Sequence, residues 1–210
     1  MEKTIAQRAI GQGIGLHSGE TTTVTIGPED IGVGLYFVRT DLPDQPTIPA
    51  SVSVVQQTML STQLVTNEAQ VRTVEHLLAA LWALGITNAR IEIDGGEVPL
   101  LDGSAIEWVN LITAAGVHDQ TESTNSSSPP ILQNPIWVRD GDCFVAAIPS
   151  IELRFSYGID FDLAAIGNQW HSWAPHLEPF ETAIAPARTF GLAHQINTIA
   201  KAQLDRWNCC

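Results

Sequence analysis

The chain has 210 residues, 44% hydrophobic and 16% charged, which makes it globular and large enough to bury a core. Ten Lys and Arg against 23 Asp and Glu give a net charge of −13, which argues against nucleic acid as a partner, because that needs a positive footprint. There is no signal peptide, no apolar run long enough to cross a bilayer and no CxxC or zinc-ribbon spacing among the three cysteines, so no transmembrane segment and a reducing cytoplasm are expected.

In chain order, residues 4–26 open with Thr4-Ile5-Ala6, pass through GQGIGLHSGE and continue as an alternating strand at 21–26. The Gly-rich part lacks the Gly-Lys-Ser/Thr and the following helix of a phosphate loop. A tight β connection using glycine torsions is expected there, with His17 inside it. Residues 34–40 read as a strand, 41–49 as a Pro- and Asp-rich turn region, and 51–65 as two short strands.

Thr73-Val74-Glu75-His76 then opens an apolar helix, with Thr73 suited to the N-cap. Val74, Leu77, Leu78, Leu81 and Leu84 recur at helical spacing, and Gly85 is the stop signal. Glu75 and His76 fall off that stripe. The face below them is small (Ala79, Ala80, Ala83), so the helix is expected to be buried. The positive end of the helix dipole favours an ionised carboxylate and disfavours an imidazolium. Glu75 can therefore accept a proton, and His76 stays neutral, the form that binds a metal. By themselves the two also fit a bland reading, an acid and a hydrogen-bonded histidine at a helix start.

Residues 89–93 form a strand ending at the Asp94-Gly95-Gly96 turn. Ser104-Ala105-Ile106-Glu107 is a capping box, so a helix is expected from about 105 to 115, stopped by Gly116. DQTESTNSSSPP (119–130) reads as a linker between a domain at 1–118 and one at 131–210. In the latter, 131–138, 143–149 and 152–161 read as strands of a second sheet and 168–173 as another. A short helix is expected at 178–185 and a helix-like run at 193–204. Strands bracketing helices in each half make the class α+β.

Six segments carry a resemblance: GIGLHSG (13–19), YFVRTDL (36–42), TMLSTQLV (58–65), TVEHLLAAL (73–81), GITNARIEIDGGEVPLLDGSA (85–105) and IAPARTFG (184–191). In this order they resemble the UDP-3-O-acyl-N-acetylglucosamine deacetylase family, zinc enzymes of the committed step of lipid A synthesis. The resemblance runs to about residue 194. It implies two side-by-side β-α-α-β two-layer sandwich domains, the second incomplete, with the site between them. It implies hydrolysis of the N-acetyl group of UDP-3-O-acyl-N-acetylglucosamine, with release of acetate.

The implied cofactor is Zn2+, with His76 as a ligand and Glu75 as general base. Zinc lowers the pKa of bound water and polarises the carbonyl, while Glu75 takes the water proton. Thr189 would help polarise the carbonyl, one oxyanion donor being worth about 2.7–4 kcal/mol. Its bland reading is a hydroxyl satisfying local backbone. Phe161 would stack on the uracil, and Phe190 is the second implied substrate-binding residue.

The family's remaining ligands, in a helical His-Lys-x-x-Asp motif, and its later Gly-His histidine are not found in this sequence. The expectation is therefore a C-terminally truncated chain, with exposed sheet edge and a tendency to aggregate. It would be active if a second polypeptide supplied the ligands. Otherwise it would be an inactive fragment or a module that binds a UDP-sugar lipid.

Overall fold

The computed structural model describes residues 2–56, 58–120, 131–193 and 195. The chain divides into two compact units, Met1–Thr124 with Ile184–Cys210, and Asn125–Ala183. The α+β class expected from the sequence is the class found.

The first unit holds β1 (Glu2–Ile5), β2 (Ala9–Ile14), β3 (Thr21–Gly27), β4 (Leu35–Arg39), β5 (Thr47–Pro49), β6 (Val55–Gln56), β7 (Gln63–Val65), β8 (Gln70–Arg72), α1 (Glu75–Ala83), β9 (Ala89–Ile93), α2 (Ile106–Ala115) and β10 (Val117–Gln120). Its main sheet has the order β2-β3-β9-β4-β5. β9 lies at the centre because ARIEI alternates, burying Ala89, Ile91 and Ile93. It pairs antiparallel with β3 (Val24↔Ile93) and parallel with β4 (Leu35↔Ala89). A parallel pair requires a long crossover. Here the crossover carries the small β6-β7-β8 sheet and then α1. Val24, Ile26, Phe37, Ile48, Ile91 and Ile93 are fully buried, as are Leu77 and Leu81 of α1 and Trp108 and Ile112 of α2. Each such side chain contributes roughly 1.5–3 kcal/mol.

Several expectations change at this level. In the Gly-rich stretch, residues 11–14 belong to β2 and residues 15–20 make the expected tight connection to β3, with Gly19 at φ +70, while Gly11 serves close packing. A Cβ on Gly11 would lie 2.7 Å from the Trp108 ring, so only glycine lets the indole rest against β2. Within 51–65 a 3-10 turn at Val52–Val54 precedes the two short strands. α1 is not buried all round. Val74, Leu77, Ala80 and Leu81 are buried, whereas Trp82 is 48% exposed. Gly85 ends the helix at φ +73, a torsion glycine adopts without strain.

At α2 the capping box is replaced. The Ile106 amide donates to Ser104 Oγ (3.2 Å), but the Ser104 amide donates to Asp102 Oδ1 (3.0 Å) rather than to Glu107, which is exposed. The nearer carboxylate on the tight Leu101-Asp102-Gly103 turn wins the amide. β10 pairs with β1 through Glu2↔Gln120, so this unit's ladder continues through residues 119 and 120. Residues 121–130 of the expected linker, and all but two of the expected run at 193–204, lie outside the described residues.

The second unit holds β11 (Ile136–Asp140), β12 (Cys143–Ala147), β13 (Phe155–Asp160), β14 (Asn168–Trp173) and the single turn α3 (Phe180–Ala183). These strands form two separate hairpins, β11-β12 and β13-β14, rather than one sheet. Pro149, which has no amide to donate, stands in the stretch between them.

Candidate active site

The mouth of α1 holds Glu75 and His76 side by side, both half-buried. Glu75 Oε2 accepts the Thr62 amide (3.1 Å), which turns this carboxylate toward the β6–β7 connection. The His76 side chain makes no hydrogen bond among the described residues. Thr73 is not the N-cap. It sits at φ +59, uncommon for a β-branched residue, and its hydroxyl donates to Glu97 Oε1 (2.7 Å). The buried carboxylate takes the hydroxyl that the helix amides would have used. Val74 occupies the cap position with no side-chain bond.

Glu97 was not singled out from the sequence, and it is the hub of this region. Backbone bonds from Arg72 N to Gly96 O (3.0 Å) and from Val98 N to Arg72 O (2.9 Å) lay residues 96–98 beside the strand leading into α1. The side chain is 3% exposed. It accepts the His17 amide (3.0 and 3.1 Å), the Ser18 amide (2.7 Å) and the Thr73 hydroxyl, and His17 Nδ1 lies 2.9 Å from Oε1. Burial pushes its pKa up. The His17 ring, the Thr73 hydroxyl and the other donors outweigh burial and hold it at about 2, so the carboxylate is ionised. Gly15 makes room for the cluster: a Cβ there would lie 2.5 Å from Glu97 Oε2. The signal available in the sequence was a charged residue, GGEVPL, between two apolar runs, with GLHSG far upstream.

Thr189 reaches the first unit through its backbone. Its amide donates to Gly103 O (2.8 Å), and the Ala105 amide donates to Ala185 O (3.1 Å). Arg188 Nε lies 3.5 Å from Asp102 Oδ2, and the pKa of Asp102 is lowered, first by the Ser104 hydroxyl. The Thr189 hydroxyl is exposed and bonds to nothing among the described residues, so the local-backbone reading of it does not hold. Residues 97–103 join the two halves of this surface. Glu97 holds Thr73 at one end, Gly103 holds Thr189 at the other, and the Leu100 amide donates to Ile14 O (3.1 Å) between them. No hydrogen bond or ion pair links Thr189 directly to Glu75 or His76 among the described residues. Phe190 is 57% exposed. Phe161 belongs to the second unit, where its amide donates to Gly167 O (3.1 Å).

A catalytic zinc needs three protein ligands and an open position. Among the described residues no group of three His, Cys, Asp or Glu is placed to hold a metal. The described residues therefore do not by themselves fit the metal that the resemblance implies.

The sequence model for "UDP-3-O-acyl N-acetylglycosamine deacetylase" (LpxC) matches residues 2–207. The chain belongs to this family. It is 60% identical over 206 residues to the UDP-3-O-acyl-N-acetylglucosamine deacetylase of Nostoc sp., covering 97% of this chain and 73% of the relative. It is 48% identical over 204 residues to the enzyme of that name from Synechocystis sp., covering 97% and 74%. A probable mitochondrial UDP-3-O-acyl-N-acetylglucosamine deacetylase of Arabidopsis thaliana is 38% identical over 217 residues, covering 97% and 65%. LpxC is a metalloenzyme family. No described helix is long and apolar enough to cross a membrane.

Proposed function

We propose that this chain carries the deacetylase chemistry of its family. It is a hydrolase that releases acetate from the N-acetyl group of UDP-3-O-acyl-N-acetylglucosamine in lipid A biosynthesis. The observation that carries this reading is a carboxylate and an imidazole at the mouth of α1, braced by a buried anion, on the same unit as an exposed threonine hydroxyl. In this reading Glu75 accepts a proton from the attacking water, and its second oxygen stays oriented by the Thr62 amide. The Thr189 hydroxyl donates to the oxygen of the acetyl carbonyl as charge develops on it. Phe161 and Phe190 offer ring faces to the substrate, Phe161 to the uracil. The family metal is assigned as zinc, with His76 as one donor and the rest of the set supplied by a second polypeptide.

The test is acetate release by the purified chain, together with zinc content per chain. Glu75→Gln should lower turnover by about 10²–10⁴-fold with zinc content unchanged. His76→Ala should lower both. Turnover that survives Glu75→Gln would overturn the assignment.

That no three-donor group forms among the described residues favours a second reading, a module that binds a UDP-acyl-glucosamine without hydrolysing it. Saturable binding of that ligand with neither bound zinc nor acetate release would select it.

A further inference from the structure

The His17 ring carries more information than its place in a glycine-rich turn would require. Its side chain is 9% exposed. Nδ1 faces an ionised carboxylate, and Nε2 is buried with no hydrogen-bond partner among the described residues. A carboxylate at Nδ1 can only accept, so Nδ1 must carry the proton. In the neutral ring the lone pair then falls on Nε2. A buried polar atom without a partner is costly, and such exceptions in a packed unit call for a reason. The same Glu97 oxygen, Oε1, also takes the Thr73 hydroxyl, and Thr73 is held in the left-handed region two residues before Glu75. Backbone strain of this kind persists only where the surroundings enforce it. One carboxylate oxygen thus enforces two unfavourable local states, a lone pair with no donor and a strained threonine.

We propose that Glu97 is a positioning residue for the mouth of α1, fixing His17 as the Nδ1–H tautomer with Nε2 as a lone-pair acceptor and locking the Thr73 torsion that aims Glu75 and His76. The effect on turnover rests on the deacetylase reading; the ring tautomer and the helix mouth do not.

The decisive measurement is the histidine ring 15N–1H correlation spectrum of the full chain and two variants. In the parent, His17 should show the Nδ1–H pattern with an unprotonated Nε2. In Glu97→Gln, whose amide can also donate, the Nε2–H form should appear, and the His76 ring signals should move. Thr73→Val removes one hydroxyl at nearly constant shape. It should leave the His17 tautomer in place and move only the His76 signals, so the two functions of Oε1 separate even if Glu97→Gln does not fold. A parent His17 with its proton on Nε2 overturns the proposal. So does a Thr73→Val spectrum in which His76 is unmoved.

Where acetate release is measurable, Glu97→Gln should lower kcat by about 10–100-fold and leave KM nearly unchanged, the range seen when outer partners of a site residue are removed. An unchanged kcat would overturn the link to catalysis. Absence of turnover in the parent would count against the deacetylase reading and leave the spectroscopic result standing.

Discussion

In the first unit β3, β4 and β9 turn Val24, Phe37 and Ile91 into a core that excludes water completely. In the second, strands of similar apolar content leave Trp137 60%, Val145 74% and Trp170 67% exposed. The difference lies in the second layer rather than in the strands. β2 and the sheet beside it are covered by α2, with Gly11 receiving Trp108, whereas among the described residues the hairpins of the second unit have only the one-turn α3 beside them. What order that unit has is local: the hairpin ladders, the Trp137–Phe144 pair at 5.5 Å, and Trp173 stacked on Phe155 and edge-on to Phe180. Isolated two-stranded hairpins are marginal in water, and exposed apolar faces of this kind attract partners or aggregate.

The comparison can be broken most directly at Trp108. Trp108→Ala should cost about 3–5 kcal/mol, because the cavity opens where α2 meets β2. Val145→Ala in the second unit should stay within about 0.5 kcal/mol. Denaturant unfolding of the two variants reads this contrast, and equal losses would mean that the second unit is packed as tightly as the first.

Glu97→Gln comes next. Bonds to a buried charge are worth about 1.5–3 kcal/mol each when lost, so the variant should be clearly less stable at neutral pH. The pKa of Glu97 is depressed in the folded chain, about 2 against 4.5. Its contribution is therefore fully present above pH 4.5 and lost as pH falls from 4.5 toward 2. The stability gap between parent and variant should close over that window, and a gap independent of pH would count against an ionised Glu97.

Gly15→Ala should cost about 1–3 kcal/mol through overpacking against the same carboxylate. Gly141 has open space around its Cβ position but sits at φ +58, so Gly141→Ala should show only backbone strain, with no cavity filled or atom displaced. At the small end, Arg188→Ala removes a largely exposed ion pair with Asp102 and should change stability by less than about 1 kcal/mol.

The parts of the fold legible in the sequence are those set by local periodicity. ARIEI reads as a strand because it alternates, α1 reads as a helix because leucines recur at its turns, and Gly85 and Gly116 stop their helices with positive φ. Glu75 and His76 could be picked out by type and position at a helix start. The Glu97 hub could not, since it joins residues 17, 73 and 97 through pairings that no window of sequence contains. Nor could the left-handed Thr73. The residue type argues against that torsion, and tertiary bonds impose it. In the second unit the strands were legible but their grouping into two hairpins was not, because alternation locates a strand without naming its neighbour.

The place of β9 in the sheet has a consequence for biosynthesis. β3 and β4 are made early, yet the strand that belongs between them ends at Ile93. At about 5–20 residues per second, the 54 residues separating Arg39 from Ile93 take roughly 3–11 s to emerge. Throughout that interval two finished strands wait with unsatisfied borders, and the ribosome-bound nascent chain is the form of this protein most in need of a chaperone.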